Sequence, residues 1–191
     1  MGVNYVLVGG LTCILMGVRR ITEDADFIVN VGSESEAEKL YEALKNGGFN
    51  VSIKDVIYAF KNKNHFTILI NSYRLDFKFP SSTLDFETLR RAIEIRLEDS
   101  VIRIARLEEN IAAKIIVLAS MKDLEDALWL MIHHRDKIDW HRLSKLLGDQ
   151  PSKIISNIIL KIEDEFKGNS IILEKLSKLK TLLKDLVEME H

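Results

Sequence analysis

Apolar and polar positions follow two different rhythms in this chain. They alternate through much of the first half and repeat at helical spacing through the second. Residues 5–8 (YVLV) form a short apolar run that stops at Gly9-Gly10, the pattern of a buried strand ending in a tight turn. Residues 11–18 stay apolar without alternation, which predicts a buried helix beginning right after the two glycines. From Asp24 to Val29, Ala25, Phe27 and Val29 alternate with Asp24, Asp26 and Ile28, giving a strand with one apolar and one largely acidic face. Residues 33–45 read as an amphipathic helix. Ser33 or Ser35 caps it, Leu40 and Leu44 face inward, and Gly47-Gly48 ends it. Residues 51–57 and 65–70 are expected to be strands. So are residues 73–79, where Tyr73, Leu75, Phe77 and Phe79 point one way and Arg74, Asp76 and Lys78 the other, before Pro80 closes the segment. Two alternating stretches, 93–97 and 101–105, predict a hairpin around Glu98-Asp99-Ser100, with a helix as the alternative for the first. From Leu107 onward the period becomes 3.6, with helices expected over 108–120, 122–134, 140–147, 152–166 and 170–190. The fold class read from this is α+β, a mixed sheet with flanking helices followed by a helical unit.

Composition narrows the picture. With 47% hydrophobic residues among 191, the chain can bury a sizeable core and is no disordered tail. Its 27 basic residues against 29 acidic ones exert no global pull toward nucleic acid or anionic membrane. A single cysteine, Cys13, excludes an internal disulfide and a cysteine-rich zinc module, so a reducing, cytoplasmic setting is expected. No apolar run reaches the ~18 residues of a membrane-spanning helix, and the N-terminus has no basic stretch of the kind that opens a secretion signal.

Three features of the first half can carry chemistry. Gly9-Gly10 ends a strand and opens a helix, where backbone can approach a ligand closely and free N–H groups meet phosphate; alone, such a pair is common punctuation. Asp24 and Asp26 project from the same strand face, where like charges repel unless a cation joins them; alone, they read as a solvated strand end. Asp76 sits mid-strand, where aspartate is disfavoured, flanked by Arg74 and Lys78 in what reads by itself as a surface ion-pair row. Other groups point to packing. His133, His134, Asp136, Asp139 and His141 lack the i, i+4 spacing of a zinc helix, and Cys13 lies among core residues. Trp129, Met131 and Trp140 read as core side chains. Leucines 173, 176, 179, 182, 183 and 186 form a packing seam, with a dimer contact as the second reading.

Taken together, the three features are far more specific. Residues 8–27, VGGLTCILMGVRRITEDADF, resemble the DNA polymerase beta-like nucleotidyltransferase superfamily. The match is nearest to its small prokaryotic branch, which includes the AbiEii-type toxins and the minimal nucleotidyltransferase antitoxins. There the pattern runs Gly-Gly, a helix, then Arg-x-Thr/Ser-x-Asp-x-Asp, written here as Arg20-Ile-Thr22-Glu-Asp24-Ala-Asp26. Tyr73-Arg-Leu-Asp76-Phe resembles the strand of the third carboxylate. Residues 107–114 (LEENIAAK) and 122–126 (KDLED) resemble the helix pair that follows the sheet, in which a lysine faces the nucleotide. The likeness covers residues 5–130. In one departure, relatives carry a helix before the first strand whereas this chain starts almost at the strand, an arrangement that would expose one flank of the sheet.

The resemblance implies a catalytic nucleotidyltransferase domain over 1–106 and a helical domain over 107–191. It implies transfer of a nucleoside monophosphate from an NTP, such as ATP, to a hydroxyl of an RNA, protein or small-molecule acceptor, with release of pyrophosphate. Asp24, Asp26 and Asp76 would be the catalytic residues and would hold two Mg2+ ions. Gly9, Gly10 and Thr12 at the helix start would bind the β and γ phosphates. Arg20, Thr22 and Lys114 would support the phosphates or orient the carboxylates. The alternative is a non-catalytic or regulatory module of a toxin-antitoxin-like system, binding a partner protein encoded nearby; a third reading is a nucleotide sensor without turnover. Homo-oligomerisation through the helical tail is compatible with each, and none calls for a membrane.

Overall fold

The computed structural model describes residues 3–189. The chain divides into two compact units, Met1–Arg106 and Leu107–His191. No helix among the described residues is long and apolar enough to cross a membrane.

The first unit is built on six strands: β1 (Asn4–Val8), β2 (Asp24–Asn30), β3 (His65–Ile70), β4 (Tyr73–Lys78), β5 (Ile93–Leu97) and β6 (Ser100–Ile104). They lie in the order β3-β4-β2-β1-β6-β5, with β2 parallel to β4, β1 parallel to β6 and the other pairs antiparallel. The unit is therefore a mixed sheet with helices on it, the architecture that the change of periodicity predicts. Helices α1 (Gly9–Leu15), α2 (Glu34–Asn46), α3 (Ile53–Lys61) and α4 (Thr83–Arg91) complete it.

The two faces of the sheet differ. On one, Phe27 of β2, Leu75 and Phe77 of β4, and Phe66 and Ile68 of β3 pack with Ala37 and Leu40 of α2 and with Val56 and Ala59 of α3. Phe77 stacks on Phe27 with centroids 5.2 Å apart and on Phe66 at 5.0 Å. Such pairs contribute about 0.5–1.5 kcal/mol each beyond the area they bury. The opposite face is covered only in part. Leu89 of α4 packs there with Val6, Ile28 and Ala105.

Three expectations need correcting. Residues 51–57, read as a strand, run instead through the N-cap Ser52 into the first turns of α3, which starts at Ile53. Val51-Ser52-Ile53-Lys54 imitates alternation, but Val56 and Ala59 are the buried positions, and Ser52 is the N-cap of a helix. Helix α4 was not anticipated. Its signal is the run Ser82-Thr-Leu-Asp85, a capping box in which the Ser82 hydroxyl accepts from the Asp85 N–H while the Asp85 carboxylate accepts from the Ser82 N–H. Helix α1 takes the two glycines into its own first turn instead of starting after them.

The second unit is helical, as its period indicates: α5 (Leu107–Ala113), α6 (Met121–His133), α7 (Trp140–Leu147), α8 (Pro151–Glu165) and α9 (Ser170–Met189). Residue 190, the expected end of the last helix, lies outside the described residues. Helix α5 runs into a single wide π turn, Lys114–Leu118, which Ala119 closes in the left-handed region at φ 48°. Leu176, Leu179 and Leu186 of the seam are buried, and α9 packs on α6 and α8.

Asp85 provides a test of this architecture. Its carboxylate accepts from the Lys78 ammonium at 2.8 Å and from the Ser81 N–H at 2.9 Å. Burial pushes the carboxyl up, but Lys78, Ser81 and Ser82 outweigh it and hold Asp85 below the usual carboxylate range. A depressed carboxyl stabilises the fold above its unfolded pKa of about 4 and loses that contribution as pH falls through the folded value. Asp85→Asn is expected to cost about 1–3 kcal/mol at neutral pH and to flatten the acid limb of the stability curve. Urea denaturation at a series of pH values from neutral downward checks both effects.

Candidate active site

The candidate site lies on the partly covered face, where the register between β2 and β4 decides what meets. Asp24 stands beside Arg74, Asp26 beside Asp76, and Ile28 beside Lys78. Residues two apart on a strand share a face, so Asp24, Asp26 and Asp76 emerge together. The third strand adds Thr67, directly across from Asp76 in the β3–β4 ladder. At the other end of this face Ile28 is buried under α4 and Lys78 is paired with Asp85. The cover therefore stops short of the three acids.

Each Asp76 oxygen is engaged. Oδ1 accepts from the Thr67 hydroxyl at 2.5 Å, and Oδ2 lies 2.8 Å from Arg74 Nε. The same Nε lies 3.2 Å from Asp24 Oδ1, so one guanidinium bridges two of the three carboxylates. Among the described residues, no group of three or more His, Cys, Asp or Glu is disposed as it stands to hold a metal ion. Between Asp24 and Asp76 the position of a cation belongs to Arg74.

The glycine pair is fitted to the acids. Gly9 has φ +70°, and a Cβ placed on it would lie 2.2 Å from Asp26 Oδ2 and 3.0 Å from its Cγ. Any side chain at position 9 would occupy the space of the Asp26 carboxylate. A Cβ on Gly10 would instead meet the Arg20 guanidinium at 3.0–3.4 Å. The pair thus lets the start of α1 lie against Asp26 on one residue and against Arg20 on the next. Thr22 folds over the entrance to β2, its hydroxyl accepting from the Asp24 N–H at 3.3 Å. The Thr12 side chain is wholly buried inside α1, and its hydroxyl has no hydrogen-bond partner among the described residues. Only the Thr12 backbone could serve a phosphate.

Lys114 lies in the second unit and is 1% exposed, with Asp123 Oδ1 and Asp126 Oδ2 each 2.9 Å from its ammonium. Burial pushes the Asp123 carboxyl up, yet Lys114 and Ser120 together hold it below the ordinary range. The lysine charge is matched locally, inside its own unit. The histidine cluster is also occupied with local structure. His133 stacks on Trp129 with centroids 3.9 Å apart, and the Asp139 carboxylate caps α7 by accepting from the Arg142 N–H at 2.9 Å. Arg74 and Thr67 are the site residues that sequence reasoning did not single out. By sequence alone Arg74 is one member of a surface ion-pair row. Thr67 carries no local signal, because only the β3–β4 register brings it to Asp76.

The two glycines should respond differently to alanine. Gly9→Ala meets both a left-handed backbone and the Asp26 carboxylate, and is expected to cost about 2–4 kcal/mol. Gly10→Ala meets only the movable end of Arg20 and gains helix propensity, so it should stay within about 1 kcal/mol of the parent. Chemical denaturation of both variants measures the contrast.

Comparison with known proteins places these features in a family. A model described as "Nucleotidyl transferase AbiEii toxin, Type IV TA system" matches residues 2–190. No curated relative matches the sequence. Among solved structures, an apo form of a tRNA-processing enzyme is 18% identical, with a TM-score of 0.37 over 98% of this chain and 55% of that one. A tRNA nucleotidyltransferase complexed with a primer tRNA and an incoming ATP analog is also 18% identical, with a TM-score of 0.36 over 98% of this chain and 60% of that one. The chain therefore spans little more than half the length of these solved chains. The family match covers nearly the whole sequence, and the chain belongs to the AbiEii nucleotidyl transferase toxin family.

Proposed function

We propose that this protein transfers a nucleoside monophosphate from an NTP to an acceptor hydroxyl and releases pyrophosphate. The observation that carries the reading is the convergence of Asp24, Asp26 and Asp76 on one sheet face beside Gly9. The donor set fits magnesium, whose preference is for hard carboxylate oxygens with several waters retained. The hollow at Gly9 supports the fit, because it leaves Asp26 Oδ2 clear of any side chain from α1.

In this reading Asp24 and Asp26 hold the two ions and Asp76 completes the site for the second. Bound there, the ions supply charge neutralisation at the triphosphate and activation of the acceptor hydroxyl. The remaining work falls to the chain. Asp76 takes the proton of the attacking hydroxyl, its second oxygen kept in place by Thr67. Gly9 and Gly10 let backbone N–H groups at the start of α1 approach the β and γ phosphates. Arg20, against Gly10, and Thr22, at the entrance to β2, keep that loop in shape. The bond between the α phosphorus and its bridging oxygen breaks as the acceptor oxygen attaches, and pyrophosphate leaves.

The family is described as toxins of a toxin–antitoxin system. That supports a partner protein that restrains this activity, and an acceptor whose modification harms the cell. With all three carboxylates present, the active reading is favoured over the purely regulatory one.

Asp24→Asn and Asp26→Asn test the proposal. Each should lower magnesium-dependent transfer from a labelled NTP into a cell extract by about 100-fold or more. Without ligand, melting of the variants should stay close to that of the parent, because the repulsion removed among the acids offsets lost ion pairing such as that of Asp24 with Arg74. With magnesium and NTP the parent should gain about 2.7 kcal/mol at a hundredfold excess over Kd, and the variants should gain little. Equal ligand-induced shifts in all three proteins would remove these acids from the metal site.

A further inference from the structure

We infer that the edge strand β5 is a self-complementary docking surface whose partner is β5 of a second copy of this chain, paired antiparallel about Ile95.

The strand order ends on β5, whose one neighbour in the sheet is β6. What the outer side of β5 offers follows from the register of the hairpin. Glu98 and Asp99 form a two-residue loop, with φ +51° at Glu98. Such a loop closes on a pair that exchanges hydrogen bonds, here Leu97 and Ser100. Bonded and non-bonded pairs alternate along an antiparallel ladder, so Ile95 with Ile102 and Ile93 with Ile104 are bonded pairs too. The other side of β6 agrees with this phase. Ala105 donates its N–H at 2.9 Å to the Leu7 carbonyl of β1, which assigns the odd-numbered backbone groups of β6 to β1 and the even-numbered ones to β5. The residues of β5 left over are Glu94 and Arg96. Their N–H and C=O groups point to the open edge, where a further strand would bond to them.

That edge admits few registers. In an antiparallel pair of identical strands, outward residues must meet outward residues. Glu94 then meets Glu94, Arg96 meets Arg96, or Glu94 meets Arg96. The first two set like charges directly opposite, which destabilises a ladder. The third sets opposite charges together, once on each side of the two-fold axis. It also puts Ile93 across from Leu97, and Ile95 across from its own copy.

The side chains suit this register. Glu94 and Arg96 are exposed, and among the described residues no hydrogen bond or ion pair engages either. Arg103, across from Glu94 within the hairpin, is turned instead to Asn4 and to the Leu89 carbonyl. On the other face Ile93 and Leu97 are 40% and 38% exposed, and the new pairs would extend their apolar row across the junction. Strand β5 has neither the proline nor the bulge that commonly blunts an edge. The opposite edge, β3, carries no acid and base that would select a register. The buried leucines of α9, the other surface that suggests a dimer, are spent on packing within the second unit.

Two short strands bury little area, so the dimer is expected to depend on concentration. Sedimentation velocity of the full chain over roughly 1–200 μM, the range of a weak specific complex, should show monomer passing to dimer. Glu94→Arg and Arg96→Glu each set like charges opposite at both pairs and should weaken the dimer by about tenfold or more. The double variant Glu94→Arg/Arg96→Glu restores opposite signs and should dimerise like the parent. An equimolar mixture of the two single variants should associate as well, because each supplies the sign the other lacks. Both positions are exposed, so thermal melts of all the variants should match the parent at low concentration. Amide exchange reads the edge directly. The N–H groups of Glu94 and Arg96 should become protected as concentration rises, while that of Ile95, already bonded to β6, should change little.

A chain that stays monomeric throughout would overturn the inference and leave the edge to a strand of another protein. A dimer that both single variants keep at parental strength would also overturn it and place the contact elsewhere on the chain. A dimer lost in the single variants and recovered neither in the double variant nor in the mixture would refute the register.

Discussion

Three carboxylates on two neighbouring strands repel one another, and the sheet must hold them together regardless. The opposing force comes from the other side of the same strands. Phe27, Phe77 and Phe66 stack beneath β2, β4 and β3 and lock the register through which Asp26 meets Asp76. A slip of one residue would turn every side chain of a strand to the opposite face, burying acids and exposing rings. The free energy of the apolar layer therefore maintains an electrostatic arrangement that would not assemble by itself. Arg74 and the Gly9 hollow ease the strain of that arrangement locally.

The acids were legible in the sequence because a strand has a period of two. Alternation is enough to place Asp24 with Asp26, and Asp76 opposite an apolar row, without any knowledge of which strands pair. The Gly-Gly and Arg-x-Thr-x-Asp-x-Asp run was legible for the same reason: its chemistry is contiguous. What depends on pairing was not readable. Thr67 is an ordinary strand threonine until β3 lies beside β4, and Arg74 is an ordinary surface cation until β2 supplies Asp24. Residues 51–57 misled because a short amphipathic helix can place apolar residues at alternate positions by chance, and only the burial of Val56 and Ala59 distinguishes the two patterns. Lys114 shows the opposite limit. Family resemblance gives it a nucleotide to face, whereas its immediate surroundings give it two aspartates.

The helices on the acidic face divide it into unlike halves. Helix α4, fastened by its capping box and by the Lys78–Asp85 pair, dries the end around Ile28. At the opposite end Asp24 and Arg74 stay about half exposed. Strand β2 thus passes from core to site within a few residues.

The parallel pairing of β2 with β4 has a consequence in time as well as in space. Asp26 and Asp76 are neighbours in the sheet but lie 50 residues apart along the chain. Closing a loop of that length carries an entropic cost of roughly 3.5 kcal/mol beyond a constant term, which the β2–β4 contacts must offset together. During synthesis, the first two acids leave the ribosome well before the third, and the stretch between them holds the rest of β2, then α2, α3, β3 and the first residues of β4. No nascent chain shorter than β4 contains the three-acid site. For a member of a toxin family, translation itself therefore delays the moment at which the site can first be assembled.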